Sequence, residues 1–265
     1  MATTDFGNSP TVAVTPAITL DGLGNGTVAT TTAAIATPLT TGGNFYERAR
    51  LEINLGASTA VGTSGTSNIS AVLFGSAAGT TVLPSTGVSN GQIYPITGSR
   101  VGGNTIVSTS TQLLVVDDLP VPPLASMELS VLNNLGVAFP TNTPPAAPTL
   151  SSVSGGTLAA TTYYVKITYV NAAGETLPSA EASLAVAADY VLSVASPAAT
   201  SGASGWNVFV STTSGTETLQ NSSPIAIGTA WQEPTTGLVS GSALPTTSTF
   251  GVPSATLYFY TPSAG

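Results

Sequence analysis

Thr162-Tyr163-Tyr164-Val165-Lys166-Ile167-Thr168-Tyr169-Val170 decides the fold class. Tyr163, Val165, Ile167 and Tyr169 fall on alternate positions, the two-residue period of a strand with one buried face. Asn171-Ala172-Ala173-Gly174-Glu175 follows as a hairpin turn in which Gly174 accepts a positive φ. Further strands are expected over Ala182 to Val186, Tyr190 to Val194, Gly205 to Val210, Thr216 to Leu219 and Ile225 to Trp231. Val, Thr, Ile, Tyr and Phe favour strands, while the helix formers Lys, Glu, Arg and Met are scarce, so long helices are not expected.

Upstream, Leu51-Glu52-Ile53-Asn54-Leu55 alternates in the same way, with Leu51, Ile53 and Leu55 on one side. Asn68 to Phe74, Gln92 to Ile96, Thr111 to Val116 and Met127 to Leu132 are the next strands, the last with Met127, Leu129 and Val131 inward. TVAVTPAITL and TVATTTAAIATPLTTGG, on either side of the turn DGLGNG, read as an arm and edge strands. Roughly eight short strands between long Gly/Ser turns point to an antiparallel sandwich or jelly roll. The later strands, seven or so over about 100 residues, match an immunoglobulin-like sandwich. Between the halves, Phe139 to Pro148 holds four prolines in ten residues, which no central strand tolerates. The expected organisation is an arm (1–20), a jelly-roll-like domain (21–142), a Pro-rich linker (143–148), an Ig-like domain (149–247) and a final segment (248–265). Ala255 to Tyr260 in that segment is an apolar strand expected to pair outside the Ig-like unit.

Composition excludes much. The 265 residues carry a net charge of −8 with only 6 % charged residues, against about 25 % in an ordinary soluble protein. With no Cys and no His, there is no thiolate, no disulfide, no Cys/His zinc site and no Ser-His-Asp triad. Arg48, Arg50, Arg100 and Lys166 are all the cations, too few to neutralise a nucleic-acid backbone. Mean hydropathy of +0.35 with 42 % hydrophobic residues argues for a folded chain over a disordered one. No apolar run approaches the roughly 20 residues that span a bilayer. MATTDFGNSP has neither the basic nor the apolar region of a secretory signal, so synthesis in the cytoplasm is expected.

Few candidate sites remain. Asp117-Asp118 is the adjacent acidic pair, read as a solvated turn after a strand that ends at Val116, without the D-x-D-x-D-G array of a calcium loop. Gly22 to Gly26 is Gly-rich, but no helix follows to complete an anion site, so it reads as a turn. Glu47-Arg48-Ala49-Arg50 is the most charged spot. It reads either as an interface that meets an acidic partner, together with Arg100, or as a surface turn with its own Glu–Arg pair. Trp206, Trp231, Tyr163 and Tyr169 read as core or as a sugar-stacking platform. The acidic residues of the second half (Glu175, Glu181, Asp189, Glu217 and Glu233) are expected to face solvent. Apart from that pair, no spacing brings two of the twelve carboxylates together predictably, and neither catalysis nor a metal or cofactor is expected.

TYYVKITYVNAAGETLPSAE, GASGWNVFVSTTSG and IAIGTAWQEPTTG resemble the Ig-like, fibronectin-III-like modules of tailed-phage structural proteins and bacterial surface proteins. ERARLEINLG, ISAVLFGSAAGTTVLPSTG and DLPVPPLASMELSVLNNLG are similar in style to the jelly-roll head decoration (cement) proteins of tailed phages. The resemblance implies an all-β chain, an N-terminal jelly-roll-like β-sandwich followed by an immunoglobulin-like β-sandwich. It implies a virion protein on the capsid surface, made in the host cytoplasm and bound as a homotrimer to the major capsid protein. Small Thr/Ser/Ala/Gly side chains lose little entropy at repeating contacts, and low charge favours assembly over free solution. The alternative is a tail, fibre or surface adhesin that binds cell-surface glycans through the Ig-like unit.

Overall fold

The computed structural model describes residues 12–39, 42–44, 46–57, 68–75, 111–121, 126–134, 136–251 and 253–261. All regular structure among them is β. The strands β1 (Val12–Val14), β2 (Thr27–Thr30), β3 (Ile35–Ala36), β4 (Arg48–Ala57), β5 (Asn68–Gly75), β6 (Thr111–Pro120) and β7 (Ser126–Asn134) come first. Then follow β8 (Leu150–Ser154), β9 (Thr161–Asn171), β10 (Gly174–Glu175), β11 (Ala182–Val186) and β12 (Tyr190–Val194). The series closes with β13 (Gly205–Ser211), β14 (Thr218–Leu219), β15 (Trp231–Gln232) and β16 (Ser254–Tyr260).

The chain forms two compact units. One is built from Met1–Gly56, Ala60–Phe139 and Pro253–Gly265, the other from Pro140–Val252 with Ala57–Thr59. The first unit is therefore discontinuous in sequence, and its last strand arrives only after the second unit is complete. Its two sheets are β1-β16-β4-β6 and a group centred on β7. β5 pairs along one edge of β7, and β2 and β3 share the other. Leu51 and Ile53 of β4, Met127, Leu129 and Val131 of β7, and Leu257 and Phe259 of β16 form one apolar cluster. Their alternation in sequence puts them there, because every second side chain of a strand faces the same way.

The second unit contains a sheet in which β10 and β11 pair along one edge of β9, and β13 and then β14 lie beyond the other. A second sheet has the order β15-β12-β8. Tyr163, Val165 and Ile167 of β9 meet Trp206, Val208 and Val210 of β13, Leu192 and Val194 of β12, and Trp231 in a shared core. The β9–β10 turn forms as its sequence suggests: Gly174 has φ 153°, and the Ala173 and Gly174 N–H groups donate to Asn171 Oδ1.

Several expectations need revision. The Pro-rich stretch 143–148, expected as a linker, lies inside the second unit, whose boundary is at Phe139/Pro140. Pro145 and Pro148 are buried there, while Pro144 is exposed. The final segment 248–265 divides: Ser248 to Gly251 stays with the second unit and β16 joins the first. β4 begins at Arg48, ahead of Leu51, because small Ala49 continues the inward series. β6 runs on to Pro120, so Asp117 and Asp118 lie within a strand and not in a turn after it. Ile225 to Trp231 is not one strand: Ile225 makes an isolated bridge to Trp206, and a turn closed by Thr229 N–H on Ala226 O interrupts it. β8 was not foreseen, since Leu-Ser-Ser-Val-Ser lacks the apolar alternation of a half-buried strand. The Gln92 to Ile96 strand and Arg100 fall outside the described residues.

Candidate functional site

The charged spot at Glu47–Arg50 becomes part of a sheet face. β4 alternates Arg48, Arg50 and Glu52 outward with buried Ala49, Leu51 and Ile53. The register sets Arg48 opposite Tyr260, Arg50 opposite Tyr258 and Glu52 opposite Thr256. Directly opposed residues of an antiparallel pair share a face, with Cβ atoms about 5 Å apart. Two guanidinium–phenol pairs thus stand side by side on the face turned away from the core. Arg50 Nε lies 3.0 Å from Glu52 Oε1, an ionic contact with both side chains largely covered, at 12 % and 18 % exposure. Glu47 is exposed and precedes the strand; its carbonyl accepts a hydrogen bond from Val121 N–H at 3.0 Å. The acidic partner of Arg50 is therefore Glu52, in the strand, where a Glu–Arg pair within the turn was one of the two expectations.

In the second unit the acidic residues do not all face solvent. Glu233 is buried: Tyr163 Oη donates to its Oε1 at 2.7 Å, and Leu192 N–H to its Oε2 at 3.1 Å. Burial, followed by the hydrogen bond and the negative charge of Glu233, pushes the Tyr163 phenol well above its ordinary pKa. Glu217 is buried as well and lies 3.4 Å from Lys166 Nζ, which also approaches Glu181 at 3.8 Å. Ser214 Oγ and Gly215 N–H donate to Glu181, and Gly215 N–H also reaches Glu217. The hydrogen bond between the Glu217 and Glu181 carboxyls, with these donors and Lys166, holds Glu181 below the usual carboxylate range. Glu175 accepts from Thr168 Oγ1 at 2.8 Å and Asn207 Nδ2 at 3.1 Å across the β9–β13 pair. Asp189 alone of the five is an exposed turn residue with positive φ.

The expectation that these five face solvent holds for Asp189 and fails for Glu217 and Glu233, because a carboxylate that accepts several donors can be buried and spacing along the chain does not reveal donors. Sequence reasoning also missed that Glu181 and Glu217 meet. They sit on different connections and are joined only by the pairing of β9 with β11 and β13.

Trp206, Trp231, Tyr163 and Tyr169 are all buried, so none of these rings offers a flat exposed platform for a sugar. Gly22 to Gly26 is a turn, with Thr27 N–H donating to Gly24 O. Among the described residues no three acidic side chains stand together as a metal site, and no helix is long and apolar enough to cross a membrane. Compared with models of known families, with curated proteins and with solved structures, the chain finds no match.

Proposed function

We propose that this chain is a virion structural protein, a capsid decoration (cement) protein that binds the head of a tailed phage as a homotrimer. The first unit would meet the major capsid protein, and the second would project outward as an Ig-like module. The observation that carries this reading is the outward face of β4 and β16. It gathers two of the chain's four cations, Arg48 and Arg50, beside Tyr258 and Tyr260. Arginine and tyrosine combine apolar area with directional donors, and they are enriched where proteins bind one another. An acidic, repeating surface is the partner proposed for this face, where Arg50 is already paired with Glu52 and contact with a further carboxylate is opposed by desolvation. The two-unit all-β build and the resemblance of both halves add to it.

The test is rebinding of the purified chain to particles that lack it, with mass by light scattering. Wild type should bind and weigh three copies. Arg48→Glu with Arg50→Glu should weaken binding by at least about tenfold at unchanged circular dichroism. A strict monomer at micromolar concentration, or full binding by the double variant, would overturn the reading.

A further inference from the structure

The turn that leads into β2 carries a reactive dipeptide. The chain holds two Asn-Gly pairs, Asn25-Gly26 and Asn90-Gly91, of which the first lies within the described residues. Gly26 has φ 73°, and a Cβ there would meet no atom within 4 Å, so the backbone conformation alone asks for glycine. Lacking a Cβ, glycine also leaves its nitrogen open to the side chain before it. That nitrogen attacks Asn25 Cγ once it has lost its proton to solvent base. A cyclic imide forms, the side-chain nitrogen of Asn25 leaves as ammonia, and water reopens the ring to an aspartyl or an isoaspartyl linkage. Both residues are exposed, so water has access.

Both reacting groups are nevertheless tied to the end of β7. Gly26 N–H donates to Asn133 O at 2.6 Å, and Asn25 Oδ1 accepts from Gly136 N–H at 2.8 Å. Buried Asn133 backs both bonds, its Nδ2 donating to Leu23 O and to Val137 O at 2.9 Å each. An N–H held in a short hydrogen bond gives up its proton reluctantly, and a carboxamide held by its oxygen is not free to swing onto the next nitrogen. We propose that Asn25-Gly26 is a self-modification site latched by β7, which converts only when the turn has lifted from Asn133 and Gly136. Each conversion then marks an opening of the turn. It adds a carboxylate to a chain of net charge −8 and, in the isoaspartyl form, one backbone atom just ahead of β2.

The test is the rate of conversion at residue 25, read by peptide mass spectrometry on the full-length chain held at mildly alkaline pH, folded or in urea. The folded chain should convert at least about tenfold more slowly than the unfolded one, because the reaction waits on local opening. The same opening frees the Gly26 amide. The fold-slowing should therefore match the protection of that amide against hydrogen exchange, measured on the unmodified chain. Asn133→Ala, which removes both Nδ2 bonds, should raise conversion at residue 25 toward the unfolded rate. If that variant does not fold, the match between conversion and exchange in the wild-type chain decides alone. Equal rates in folded and unfolded chains overturn the proposal. So does slowed conversion beside an unprotected Gly26 amide, or a folded Asn133→Ala chain that converts no faster than wild type.

Discussion

The two units build all-β cores from the same restricted alphabet, but with opposite chain routes and opposite treatment of buried charge. The second unit is one continuous stretch whose two ends are tied to each other by Ser248 Oγ on Asn142 Oδ1. The first is assembled from segments on either side of that stretch, and its central β16 is separated from β4 by the whole second unit. The second unit surrounds Glu233 with a phenol and a backbone N–H, and Glu217 with Lys166 and Gly215. The first buries Glu128 on β7, whose Oε2 has no hydrogen-bond partner among the described residues. A buried carboxylate is tolerable where donors converge on it and costly where they do not. The second unit thus surrounds its buried carboxylates with donors, whereas the first depends on the return of a distant strand to complete its sheet.

The sharpest test of this contrast is core truncation. Both tryptophans, Trp206 and Trp231, belong to the second unit, so tryptophan fluorescence follows that unit. Trp206→Ala removes a fully buried ring and should destabilise the second unit by about 3–5 kcal/mol. Leu257→Ala should cost about 2–5 kcal/mol in the first unit. Denaturation followed by tryptophan fluorescence and by far-ultraviolet circular dichroism should show Trp206→Ala moving the fluorescence transition and Leu257→Ala leaving it in place. If Leu257→Ala shifts the fluorescence transition equally, the units unfold as one body and the contrast fails.

A smaller effect, opposite in sign between the units, is expected when the buried carboxylates are replaced. Glu233→Met strands the Tyr163 hydroxyl and the Leu192 N–H in the core and should cost about 1–3 kcal/mol. Glu128→Met removes a carboxylate with an unsatisfied oxygen and should stabilise the first unit by about 1 kcal/mol. Midpoints in urea at constant slope measure both. A destabilising Glu128→Met would mean that this carboxylate is better satisfied than Glu233, reversing the comparison.

The smallest effect is a pH dependence of the second unit. The folded pKa of Glu181 lies below its unfolded value, so folding favours the ionised form. Its contribution to stability is complete above the ordinary carboxylate pKa of about 4.3 and is lost as pH falls through the lowered folded value. Glu181→Gln should flatten that part of the acid profile read by tryptophan fluorescence and leave stability at pH 7 to 8 with the same slope as wild type. An unchanged acid profile would place the acid sensitivity elsewhere.

The alternation in Thr162 to Val170, Leu51 to Ile53 and Met127 to Leu132 was enough to establish an all-β chain and the inward faces of these strands, while the side chain of Leu55 lies outside the described residues. Strand periodicity is local, and burial on one face leaves it written in the residues. The missing Cys and His limited the available chemistry in the same direct way. The Glu47–Arg50 spot was visible as charge, but its alignment with Tyr258 and Tyr260 depends on β16 entering between β1 and β4. The same holds for the unit boundary, which prolines alone placed a few residues too late, and for Lys166 meeting Glu181 and Glu217. These are pairings between segments far apart in sequence. Their energy comes from register, donors and packing that exist only after distant strands have met, so only the tertiary structure could decide them.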